Sequence, residues 1–157
     1  RRATPRDDVA LDTRGMVALL RAGAEFLVVG APAMAVHGVP RATGDLDVWV
    51  RPDPPNAGRV WQALLEFGAP AGALGVSRED LETRGIVVQI GLPPRRLDIL
   101  TEASGLDFDE AWRNRVTHRV GPHDVPFLSR DDLIRNKRAS GRPKDLADLD
   151  ILERDKK

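Results

Sequence analysis

A chain of 157 residues, 41% hydrophobic and 31% charged, has the size and apolar content of one compact domain. It contains no cysteine, which excludes disulfides, thiolate metal sites and a cysteine nucleophile, and which suits a reducing cytoplasm. Formal net charge is zero, so no whole-molecule field for a long nucleic acid is expected, and no apolar run approaches the roughly 20 residues of a membrane span.

Residues 1–11 carry Pro5 and mixed charge and are expected to be loose. Their opening, RRATPRDD, has no apolar stretch behind it of the kind a secretory signal carries. From Asp12 to about Ala22, Met16, Val17, Leu19 and Leu20 recur at helical spacing, with Asp12 or Thr13 as cap. Phe26 to Val29 reads as a buried strand ended by Gly30, and Pro32 suits the first turn of a short helix. Thr43 and Gly44 mark a turn, and Asp45 to Val50 a second strand. Asn56 to Phe67 is predicted helical, with Val60, Leu64, Leu65 and Phe67 inward. Residues 68–84 give no clear pattern. Ile86 to Ile90 and Arg96 to Leu100 read as strands joined by a GLPPR turn, and Asp107 to Asn114 as a short helix. Val116 to Val120 and Val125 to Leu128 read as short strands. Ser129 caps a helix to about Ser140, with Asp132 completing a weak capping box. After the GRP break, Lys144 to Glu153 forms the last helix, with Leu146, Leu149 and Leu152 on one stripe. No repeat or linker interrupts the order. The expectation is an α/β (α+β) domain spanning residues 1–157, a small mixed sheet with helices packed on it and a helical segment over residues 129–157.

The chemistry is concentrated in residues 26–50. Strand alternation places Asp45 and Asp47 on one face, roughly 6.5 Å apart at the backbone, and sends Leu46 and Val48 to the core. Two ionised carboxylates this close repel unless a cation lies between them, and oxygen-only ligands suit Mg²⁺ or Mn²⁺. Asp98 is isolated among Leu97, Ile99 and Leu100, and a lone acid on a core strand needs a partner. If its strand neighbours that of Asp45 and Asp47, three carboxylates share one patch, as two metals about 3.5–4 Å apart require. Alternatively Asp98 is a structural acid paired with Arg95 or Arg96. At Gly30 the strand–helix junction leaves free N–H groups for phosphate, with Ala31 beside it and Arg41 and Thr43 as further donors.

A basic segment holds Arg135, Lys137, Arg138, Arg142 and Lys144, followed at once by Asp145, Asp148 and Asp150. It is either a solvated face with pairs such as Lys144–Asp148, or a phosphate-holding patch in which Lys137 reaches the three acids and Arg142 and Lys144 form the mouth. His37 is expected to pack rather than act. His118 and His123 are expected on exposed strands, and three scattered histidines make no zinc site. Trp49 shares the face of Asp47 and either stacks on a base or fills the core, while Trp61 and Trp112 read as core.

These residues resemble the nucleotidyltransferase superfamily that includes DNA polymerase beta, and in particular its small bacterial members. The superfamily pattern is Gly-Gly or Gly-Ser, then Asp-x-Asp, then a third acid on a later strand; it maps onto Gly30-Ala31, Asp45-x-Asp47 and Asp98. GVPRATGDLDVWV, PPRRLDILT and LIRNKRASGRPKDLADL resemble bacterial nucleotidyltransferases related to AbiEii-like abortive-infection toxins. The resemblance spans about residues 12–153. It implies two Mg²⁺ or Mn²⁺ ions on Asp45, Asp47 and Asp98 and an NTP bound by Gly30, Ala31, Arg41, Thr43, Lys137, Arg142 and Lys144. It implies transfer of NMP to a hydroxyl acceptor on a tRNA end, a protein or a small molecule. A cognate antitoxin or toxin partner, a phage-defence role and a cytoplasmic location follow from the same resemblance. One departure is the alanine at position 31, followed by Pro32, which lacks an N–H. That departure leaves open a non-catalytic nucleotide- or partner-binding module, and clustered aspartates leave open a metal-dependent phosphohydrolase.

Overall fold

The computed structural model describes residues 13–39, 45–67, 76–91 and 96–154. Over these residues the fold is mixed α/β, with six strands, six α-helices and one 3-10 turn. The strands are β1 (Phe26–Val29), β2 (Leu46–Val50), β3 (Val87–Ile90), β4 (Leu97–Leu100), β5 (Val116–Val120) and β6 (His123–Phe127). They form one sheet in the order β3-β4-β2-β1-β6-β5. β1 and β2 are antiparallel, β2 and β4 parallel, and β1 and β6 parallel; β3 and β5 close the edges antiparallel to their neighbours. The helices are α1 (Arg14–Arg21), α2 (Gly30–Val36), α3 (Pro54–Phe67), α4 (Phe108–Arg113), α5 (Arg130–Ser140) and α6 (Pro143–Arg154).

β1 and β2 sit centrally because FLVV is apolar throughout and all four residues are buried, as a strand covered on both faces must be. Leu46, Val48, Leu97 and Ile99 line one face of the β2–β4 pair, and Gly15 of α1 lies directly against Leu97. α1 packs in turn on α3. The opposite face carries Asp47 and Asp98 at one end and Trp49 at the other, where the indole meets the Phe108 ring edge-on at 5.0 Å. No helix among the described residues is long and apolar enough to cross a membrane.

Most expected boundaries shift by one or two residues. β6 begins at His123 rather than Val125, because Gly121 and Pro122 alone make the hairpin turn and pair Val120 with His123; Gly121 takes φ 61° there. The unassigned stretch contains a 3-10 turn, Arg78–Glu82, opened by a Ser77–Asp80 capping box. Ser129 caps α5 by accepting from the Asp132 N–H, but the Asp132 carboxylate turns to Arg135 and Asn114 instead of closing the box. Thr13 precedes α1 without a side-chain cap bond. Leu65 is half exposed, because it lies one residue past the buried Ala57–Val60–Leu64 stripe. Leu146 is likewise exposed, and the inward face of α6 is built from Asp145, Asp148, Leu149 and Leu152. Trp61 and Trp112 are only partly buried. The expectations for residues 1–11, the Thr43–Gly44 turn and the proline turn between β3 and β4 lie outside the described residues.

Candidate functional site

The parallel register of β2 and β4 sets Asp47 directly beside Asp98. Asp45 precedes β2, and its Oδ1 accepts the Arg96 backbone N–H at 3.1 Å. Gly30, at the end of β1, packs against the same group. A Cβ on Gly30 would stand 2.2 Å from Asp47 Oδ2, and its φ of 69° is a left-handed conformation that favours glycine. This turn and this carboxylate therefore require each other: a side chain at position 30 displaces Asp47.

A cleft of about 340 Å³ opens over these groups. It is lined by Gly30, Ala31, Met34, Asp45, Asp47, Arg96, Asp98, Lys137, Arg142, Lys144, Asp145 and Asp148. Eight of the ten site residues expected from sequence thus share one cleft. The other two, Arg41 and Thr43, lie outside the described residues. Sequence reasoning had not placed Met34, Asp145 or Asp148 in the site, and it considered Arg96 only as a structural partner.

The electrostatics of the two walls differ. On the sheet wall, burial first, then the charge of Asp98 and a hydrogen bond to it, then Asp45, raise the Asp47 carboxyl from 3.8 to about 6; the Arg96 charge opposes this. Arg96 grips Asp98 fork to fork, Nε to Oδ1 at 2.8 Å and a terminal nitrogen to Oδ2 at 3.2 Å; the same nitrogen lies 3.8 Å from Asp45 Oδ2. The pairing of Asp98 with Arg96, weighed as the structural alternative, is therefore present.

On the helical wall, Lys137 is buried and meets Asp145 at 3.4 Å and Asp148 at 3.0 Å. Both acids are almost fully buried. Arg142, largely exposed, forks onto Asp145 at 2.7 Å and 3.4 Å. Burial alone pushes Asp145 upward, but hydrogen bonds from Arg142 and Ser140 and the charges of Lys137 and Arg142 together hold it at about 2. The i, i+4 spacing that suggested a Lys144–Asp148 surface pair is overridden, since Asp148 faces inward to Lys137. Lys144 stands exposed at the rim.

Asp45, Asp47 and Asp98 are the carboxylates of the sheet wall, facing Asp145 and Asp148 across the cleft. Among the described residues no three His, Cys, Asp or Glu side chains stand together ready to hold a metal ion; on this wall Arg96 already grips Asp98 and reaches Asp45. A separate hollow of about 250 Å³ lies at the far end of β2, lined in part by Trp49, Arg51, Arg84 and Phe108. Its central cation, Arg51, is taken up by Glu25 and Asp109 and lies 4.7 Å over the Phe108 ring. Trp49 is buried there as core rather than offered as a stacking surface. His37 binds the Leu128 carbonyl through Nε2 and faces His118 edge-on, so it packs as expected.

Comparison of the chain with protein-family models and with curated proteins gave no match.

Proposed function

We propose that the chain is a magnesium- or manganese-dependent nucleotidyltransferase that moves NMP from an NTP to a hydroxyl acceptor and releases pyrophosphate. The observation that carries this reading is the register of Asp47 against Asp98, packed on the Gly30 turn, in one cleft whose far wall carries Lys137, Arg142 and Lys144. Asp45, Asp47 and Asp98 suit a hard cation. Their donors are all oxygen, and burial together with the charges of Asp98 and Asp45 raises the Asp47 carboxyl to about 6, a cost that a bound cation would relieve. Bound there, two divalent ions supply neutralisation of the polyphosphate and a lowered pKa of the acceptor hydroxyl.

The chain's own residues orient the reactants. Backbone N–H groups at Gly30 and Ala31 receive phosphate oxygens, and Arg142 and Lys144 draw the polyphosphate into the mouth. Lys137, held by Asp145 and Asp148, fixes the helical wall beside that mouth. Asp98 accepts the proton of the acceptor hydroxyl as its oxygen bonds to the α-phosphorus and the bond to pyrophosphate breaks. The contribution is mainly positioning and charge neutralisation. The resemblance to small bacterial nucleotidyltransferases supports the same reading. It extends it to acceptors on tRNA, protein or a small molecule, and to a toxin–antitoxin setting.

Incubation with α-labelled NTPs, Mg²⁺ and a cell lysate tests the proposal. Label should move to one acceptor class, and Asp47→Asn or Asp98→Asn should reduce transfer by at least about a hundredfold, the usual scale for losing a group that stabilises the transition state. Absence of transfer with every NTP and every fraction would favour the second reading, a non-catalytic nucleotide-binding module. That reading draws on Pro32 in the phosphate turn and on the Arg96 grip on Asp98.

A further inference from the structure

Arg96 immediately precedes β4, two residues before Asp98, and its side chain reaches the face that carries that acid. Its guanidinium engages both oxygens of Asp98 and approaches Asp45, while its backbone N–H separately fixes Asp45. One residue therefore ties two of the three acids together. The side chain is also about 29% exposed, so the guanidinium can leave without disturbing the core.

We propose that Arg96 is an exchangeable counter-cation: it holds Asp45 and Asp98 in the free protein, yields them to a divalent metal ion, and then takes a phosphate oxygen of the incoming nucleotide. This rests on the nucleotidyltransferase reading above. A metal ion entering this wall needs lone pairs on Asp98, and the fork on Asp98 engages both of its oxygens. A single charge on three carboxylates is a weaker match than a dication, so the exchange is downhill once metal is abundant. The displaced guanidinium remains tethered at the cleft, and its planar set of donors fits phosphate as well as carboxylate. Metal and nucleotide then help one another, because each favours the state in which Arg96 has let go of Asp98, and such coupling is reciprocal.

The experiment is Mn²⁺ binding followed by water-proton relaxation, with and without a non-hydrolysable NTP analogue. It uses the wild type, Arg96→Gln, Arg96→Lys and Asp47→Asn, each first checked for fold by circular dichroism. The backbone bond to Asp45 survives in every Arg96 variant, which favours retention of the fold, and Arg96→Lys keeps the charge without the fork. Arg96→Gln should bind Mn²⁺ alone about tenfold more tightly than wild type and lose the mutual enhancement between Mn²⁺ and nucleotide. Arg96→Lys should fall between the two. A purely structural arginine would not move that enhancement. Unchanged or weaker Mn²⁺ affinity in Arg96→Gln, with binding still lost in Asp47→Asn, overturns the exchange but leaves the metal site standing. No saturable Mn²⁺ binding in either wild type or Arg96→Gln overturns both.

Discussion

Asp47 keeps its proton two units longer than an ordinary aspartate, and that has a direction in stability. Folding raises this carboxyl from 3.8 to about 6, so the neutral form is the one the fold favours. Its contribution is complete below about pH 4 and is lost as pH rises through about 6. Burial sets most of this, Asp98 and then Asp45 add to it, and Arg96 opposes them. Asp47→Asn keeps the neutral form at every pH. Between about pH 4 and pH 7, without divalent ions, the stability difference between the variant and wild type should move in favour of the variant by about 2 kcal/mol. Urea unfolding across that range reads it, and a pH-independent difference would contradict it. Much of this site is legible residue by residue. Asp98 stands out as the one acid in an apolar strand, and alternation pairs Asp45 with Asp47. Arg96 is harder to assign, because sequence shows that a cation is near Asp98 but not whether it is a partner or an obstacle.

At the scale of elements, α5 and α6 meet through buried charge as well as through apolar contact. Lys137 on α5 neutralises Asp145 and Asp148 on α6, and Gly141, at φ 65°, ends α5 so that α6 can turn back. Lys137→Ala would take the Lys137 ion pair from buried Asp148 and leave Asp145 to Arg142 and Ser140. It should cost about 3–5 kcal/mol. Adding Asp148→Asn should recover part of that, as urea unfolding of the single and double variants will tell. This junction is also where helical periodicity misled. Counting apolar residues assigns Leu146 to the inward stripe, yet Asp145 and Asp148 occupy it, because their stabilising partner comes from another helix. The strands fared better: β1 coincides with the apolar run FLVV, since a fully buried strand is defined by its own composition.

Across the whole molecule, 24 basic and 24 acidic residues cancel, but they are not mixed evenly around the cleft. Three acids crowd the sheet wall, while on the helical wall Arg142 and Lys144 stand at the rim beside the Lys137–Asp145–Asp148 group. A protein of this kind should respond weakly to monovalent salt and specifically to divalent ions. Saturating Mg²⁺ at about a hundred times its dissociation constant should stabilise the folded state by about 2.7 kcal/mol. That should appear as a Tm rising with the logarithm of Mg²⁺ concentration in wild type and staying flat in Asp47→Asn. Sodium chloride at matched ionic strength should not reproduce it.

The parallel pairing of β2 with β4 has a kinetic consequence. Asp47 and Asp98 are separated by fifty residues of sequence that include α3, the 3-10 turn and β3. β6 likewise reaches β1 only after nearly a hundred residues of intervening chain. Pairing of β1 with β2 alone brings Asp45 near Asp47 but leaves Asp98 out of the cluster. The charge of Asp98 is added by the docking of β4, a closure whose entropic cost grows with the length of chain between the strands. The full repulsion among the three acids therefore arises only with the long-range closure, not with the local β1–β2 pairing.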